Sequence, residues 1–180
     1  MMVPLLRPQS ANRVFSGLQY EGWKTMKTLF LVGTHVGALL LGFALGVYFL
    51  PILAAPDAPD VGTVNAVAKE AQYKAKFVRD LKGSDFLHWG EGDVSVGARQ
   101  IALMGELAPG PAYKLYLTPE LVTDEAEFLA VKDQSALVGD VATFNNFVVP
   151  VPGTIDVRKY KAVVVWCESF SEFITAGSYQ

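Results

Sequence analysis

Hydrophobic and polar positions divide the chain into three textures. From Thr28 to Leu50 the run TLFLVGTHVGALLLGFALGVYFL carries no charge and no polar stripe at helical spacing. A helix on the surface of a soluble core would show such a stripe. At about 1.5 Å per residue the run extends roughly 34 Å, enough to cross a hydrocarbon layer of about 30 Å. The pattern therefore predicts a transmembrane helix over 28–50. A linker follows, PILAAPDAPD (Pro51 to Asp60), whose proline and alanine make it semi-rigid. The next run, Asn65 to Lys82, reads as a helix capped by Asn65 and ended by Gly83, with Val67, Ala71, Lys74 and Val78 on one face and Phe77 beside it. Linker and helix fill 51–85.

From Phe86 onward short β-branched and aromatic runs alternate with turn formers. The strand candidates are GDVSV, QIALMG, YKLYLT, NNFVVPV and KAVVVWC. Tyr113, Leu115 and Leu117 alternate with Lys114, Tyr116 and Thr118, the pattern of a half-buried strand. The stretch PELVTDEAEFLA reads as a short helix capped by Thr118 or Thr123. In KAVVVWC both alternating sets are apolar, so this strand is central, with Val163, Val165 and Cys167 on one face and Val164 and Trp166 on the other. The whole is mainly β, a compact β-sandwich over 86–180.

Charge gives the predicted helix a direction. Residues 1–27 carry Arg7, Arg13, Lys24 and Lys27 against Glu21, a net +3, while residues 57–180 carry eleven basic and seventeen acidic side chains, a net −6. The positive-inside rule places 1–27 in the cytoplasm and the C-terminal domain across the membrane, which for an inner (cytoplasmic) membrane is the periplasm. A single-pass signal anchor competes with a cleaved signal peptide, and Met26 with Met1 as the translation start. Pro56 after Ala54 and Ala55, together with the length of the apolar run, favours the anchor. Clustered cations are what nucleic acid needs, and the acidic domain argues against that partner. Its best basic group, Lys74, Lys76, Arg79 and Lys82, reads as a solvated helix face. In the span, Gly33 and Gly37 form one small-residue pair and Gly42 and Gly46 another on the opposite face, a pattern suited to packing against other membrane subunits.

Candidate chemistry is sparse. One cysteine and two histidines supply no ordinary structural zinc site, no Cys-x-x-Cys pair and no covalent haem motif. There is no phosphate-cradling loop and no nucleophile elbow, so no catalytic residue and no metal ligand set is assigned, and independent enzyme activity is not expected. Cys167 and His88 stand out as redox or ligand candidates. Trp89, Trp166, Tyr113 and Tyr116 are aromatic candidates for a ligand cleft.

Three segments in order, FLHWGEGDVSV, LAPGPAYKLYLTP and FNNFVVPVPGTIDVRKYKAVVVWCESFSEFITAGSY, resemble the DM-thirteen domain, the Skeletor-type "electron transfer" family, over about Phe86 to Tyr179. The runs from Pro109 to Leu117 and from Tyr160 to Phe170 are the most specific. The resemblance implies an extracytoplasmic β-domain in which Cys167 matches the family's proposed redox cysteine and His88 the histidine that opens the bacterial version. Three readings of Cys167 follow: a haem ligand opposite His88, a bare redox thiol, or a small buried core residue. Three functions follow: an electron-transfer-associated membrane-anchored domain, a non-catalytic accessory subunit of a membrane complex docked through its glycine-faced helix, or a binding module for a small apolar ligand.

Overall fold

The computed structural model describes residues 11–180, with side chains from Trp23 onward. Part of the expected cytoplasmic segment 1–27 therefore lies outside the described residues. Two compact units divide at Gly46 and Val47. Helix α1 spans Ala11–Ala54. Its stretch Trp23–Ala54, of mean hydropathy 2.3, is the one helix among the described residues long and apolar enough to cross a membrane. Within it a Cβ added at Gly33, Gly37, Gly42 or Gly46 would meet nothing within 4 Å. His35 turns back on the helix, its Nδ1 bonding the Leu31 carbonyl at 2.7 Å.

The second unit carries helix α2 (Val61–Glu70) and strands β1 (Tyr73–Phe77), β2 (Gly90–Val96), β3 (Gln100–Leu107), β4 (Tyr113–Thr118), β5 (Ala136–Asp140), β6 (Asn145–Pro150), β7 (Ala162–Cys167) and β8 (Glu172–Ser178). Helix α3 (Glu125–Val131) lies between β4 and β5. Two antiparallel four-stranded sheets form, ordered β1-β2-β3-β6 and β5-β4-β7-β8. Their facing sides share one core, which includes Phe77, Val94, Leu103, Leu115, Phe147, Val165 and Ile174. Fully burying each such side chain stabilises the fold by about 1.5–3 kcal/mol. The outer faces are covered as well. Val64 and Val67 of α2 pack on Ala102, and Phe128 and Val131 of α3 cluster with Tyr116 and Trp166.

The helix expected over 65–82 is corrected in two places. It starts earlier, because the Asp60 side chain accepts the Thr63 N–H at 3.0 Å and so caps the helix in place of Asn65. It ends at Glu70, with Ala71 extended, and Tyr73–Phe77 becomes β1. The reason is readable in YKAKF: Lys74 and Lys76 face out while Ala75 and Phe77 face in, period two rather than 3.6. The basic group is thus not a helix face. Lys74 bonds Ser95 Oγ at 2.7 Å, Arg79 pairs with Glu91 at 2.9 Å, and Lys82 pairs with Asp124 and Glu127. Gly83 ends no helix; its N–H donates to the Thr123 carbonyl at 2.7 Å.

Strand β4 also departs from a half-buried reading. Tyr116 and Thr118 are buried on the side away from the sheet-to-sheet core, because α3 roofs that face, and Lys114 alone stays partly open. Asp124, not either threonine, caps α3 by accepting the Glu127 N–H at 2.8 Å, while the Glu127 carboxylate reaches back to the Thr123 N–H at 2.7 Å. Strand β7 is central, paired with β4 and β8, and all six of its residues are buried.

Candidate functional site

Cys167 closes β7 opposite Tyr113, the first residue of β4. At this end of the sandwich β4 and β8 begin and β3 and β7 finish, so the connecting loops converge. The sulfur lies on the sheet-to-sheet face, and Cys167 as a whole is 3% exposed. Its S–H donates to the Pro111 carbonyl at 3.1 Å. Burial pushes the thiol above its ordinary value. The backbone N–H groups of Phe170 and Ser169 oppose that shift, and the carboxylates of Glu172 and Glu168 add to it. At neutral pH the group is a closed-off thiol, not a thiolate.

The loop that supplies Pro111 is built around Tyr113. The Tyr113 hydroxyl donates to the Ala108 carbonyl at 2.9 Å, and its ring meets Phe144 edge-on at 5.9 Å. Gly110 lies so close to this ring that a Cβ there would stand 2.7 Å from Tyr113 Cζ. Ala112 takes φ 51°, a left-handed turn that brings the chain back into β4. The Pro-Gly-Pro run therefore forms a tight cover, and its carbonyl is the thiol's partner. The sequence marks the run as a turn but gives no sign that its carbonyl meets the cysteine.

The same cover contributes Pro109 to a groove of about 460 Å³, whose walls also include Ile52, Ala55, Trp89, Leu107 and Phe144. The Arg79 guanidinium stacks on the Trp89 ring at 3.3 Å. Neither Cys167 nor His88 lines this groove.

His88 sits in the turn before β2. Its Nδ1 is 3.0 Å from Asp85 Oδ2, and Asp85 also accepts the backbone N–H groups of Leu87 and His88. Burial would raise the Asp85 carboxyl, but these donors outweigh it and hold the group below its ordinary value. A haem held between Cys167 and His88 does not fit this arrangement: the sulfur faces the core under the Pro111 carbonyl, and the imidazole is tied to its own turn. Among the described residues no group of three or more His, Cys, Asp or Glu side chains could hold a metal ion.

The four aromatic candidates are not brought into one cleft. Trp89 lines the groove and Tyr113 fills the sheet-to-sheet core. Tyr116 and Trp166 lie under α3, where Phe128 contacts both rings at 5.2 and 4.7 Å. Strand alternation explains the split, since Tyr113 and Tyr116 are an odd number of residues apart. On this outer face the Tyr116 hydroxyl donates to Glu168, and Lys132 Nζ donates to the same carboxylate at 2.8 Å. Burial would raise Glu168, but Lys132 and then Tyr116 outweigh it and hold the carboxyl low. The Trp166 N–H also lowers Glu168, although it falls short of a closed hydrogen bond. The sequence marks Glu168 only as the carboxylate beside Cys167 and does not mark Lys132; their pairing across 36 positions has no local signal.

Comparison with curated proteins and with solved structures gave no match. A family model described as electron transfer DM13 matches residues 76–179, more than half of the chain, and takes in both Cys167 and the loop that covers it. The chain belongs to the DM13 electron-transfer family.

Proposed function

We propose that this chain is a single-pass, membrane-anchored domain with an electron-transfer-associated role, held on the extracytoplasmic side of an inner membrane, and that Cys167 is its redox group. The observation that carries the reading is the family match over the sandwich, combined with the only thiol in the chain lying under a loop inside the matched stretch. The apolar helix Trp23–Ala54 supports the anchor. The basic N-terminal segment and acidic C-terminal domain support the orientation, with the N-terminus cytoplasmic and the sandwich periplasmic.

The geometry sets conditions on the chemistry. A protonated thiol bonded to a carbonyl is a poor nucleophile, so reaction requires the Pro109–Ala112 cover to move. With no second cysteine in the chain, a disulfide forms only with a thiol on another molecule, losing two electrons and two protons to an external acceptor. Glu172 and Glu168 both disfavour a thiolate at this position, and the Lys132 ammonium paired with Glu168 at 2.8 Å offsets that only in part.

A second reading rests on a separate observation. The open faces at Gly33, Gly37, Gly42 and Gly46 suit docking against neighbouring helices, as a non-catalytic accessory subunit of a larger membrane complex would.

An oxidised-minus-reduced optical spectrum of the purified full-length protein tests the first reading. A thiol-based redox group gives no visible band. A Soret band that moves on Cys167→Ser would transfer the redox role to haem and overturn the assignment to the bare thiol. Migration with a large assembly in native gels, lost when Gly33 and Gly42 are replaced by Leu, is the result expected of an accessory subunit; migration as a lone monomer contradicts it.

A further inference from the structure

The turn before β2 presents two large apolar side chains to the outside. Phe86 is 86% exposed and Leu87 42% exposed. This is a closed turn: the Asp85 carboxylate accepts the Leu87 N–H at 2.6 Å and the His88 N–H at 2.8 Å, and the Asp85 N–H donates to the His88 carbonyl. Two positions later Trp89 forms a wall of the groove together with Ile52 and Ala55, where α1 ends, and with Pro56 to Ala58 beyond it. Arg79 lies on the Trp89 ring with its head partly open to solvent. Exposed Phe and Leu, a Trp and an Arg thus gather on an otherwise acidic domain, beside the end of the apolar helix.

That composition is the one found where membrane proteins meet lipid headgroups. Indole rings settle at headgroup level, and the Arg79 guanidinium, paired with Glu91, lies on the Trp89 ring with its stem along apolar surface. We infer that the Phe86–Leu87 tip and Trp89 insert into the headgroup region of a lipid bilayer. The groove that Trp89 shares with Ile52 and Ala55, where the apolar helix ends, favours lipid over a protein partner. The inference rests on the reading of Trp23–Ala54 as a membrane anchor.

The test uses the full chain in vesicles of phosphatidylcholine and phosphatidylglycerol. Phe86→Cys, Leu87→Cys and, at the opposite end of the sandwich, Gly153→Cys are each made in a Cys167→Ser background and labelled with an environment-sensitive fluorophore. Gly153 has open space around it, so a side chain there costs the fold little. With nitroxide-headgroup lipid present, emission from positions 86 and 87 is expected to be blue-shifted and quenched, and that from position 153 to be neither. If the chain floats with vesicles but positions 86 and 87 stay unquenched, the contact is refuted while the anchor stands. Equal quenching at 86 and 153 refutes it too, as does a blue shift without quenching, which would put a protein partner or a second copy on the tip. Failure of the chain to float removes both the anchor and the contact.

Discussion

Replacing Gly110 by alanine probes the cover over Cys167. The added Cβ would stand 2.7 Å from Tyr113 Cζ, inside any normal carbon contact. Tyr113 is 3% exposed and its hydroxyl is bonded to Ala108, so the ring has nowhere to swing. Relief must come from the loop. Over-packing of this kind costs about 1–3 kcal/mol, and losing the Tyr113–Ala108 hydrogen bond adds about 1 kcal/mol. The sum, about 2–4 kcal/mol, would appear as a lower denaturant midpoint for the purified protein. A second readout is specific to the site: the shifted loop withdraws the Pro111 carbonyl from Sγ, so a mild thiol reagent labels native Gly110→Ala faster than native wild type. A midpoint change below about 0.5 kcal/mol with unchanged labelling would refute the argument that this loop seals the thiol.

Two further outcomes follow from the core and the thiol. Phe77→Ala, at a fully buried position of β1, should cost about 3–5 kcal/mol by chemical denaturation, whereas a solvated helix at this place would lose almost nothing. For Cys167 the folded pKa lies above the ordinary value of 9.0, so the unfolded chain ionises first. Stability from the neutral buried thiol is complete below that value and declines as pH rises through the folded pKa. The denaturation midpoint of wild type should then fall more steeply above about pH 9 than that of Cys167→Ala, and parallel curves would contradict the burial. Tyr113, Tyr116 and Tyr179 are also raised by burial; Tyr116 and Tyr179 act on both proteins alike, whereas Tyr113 loses the contribution of the Cys167 thiolate in the variant.

The strands that were legible in sequence are those with a strong local pattern. β2, β3, β4, β6 and β7 carry β-branched or aromatic runs bounded by turn formers. The three that were not each lack this for a physical reason. β1 is rich in Lys and Ala, residues that favour helix, and its strand state comes from pairing with β2. β5 is an edge strand with only Val138 buried, so little apolar pattern marks it. In β8 the β-forming run is only Phe173, Ile174 and Thr175 before the small Ala176 and Gly177, and Gly177 is bare where a Cβ would stand 2.7 Å from the Lys76 carbonyl oxygen of β1. For the candidate site, the alternation of β7 placed the sulfur on one face of a central strand. What it left out was the partner. The Pro111 carbonyl is 56 positions away, and a backbone oxygen leaves no trace in residue identity.

The most direct test of Cys167 as a redox group is its oxidation state in native membranes poised under reducing and oxidising conditions. The thiol is blocked after rapid acid unfolding and the modified fraction read by mass spectrometry. A blocked fraction that falls on oxidation and returns on reduction is the result expected of an electron-transfer thiol. A Cys167 that stays fully free under both conditions would contradict the assignment and leave it as a core residue of the sandwich.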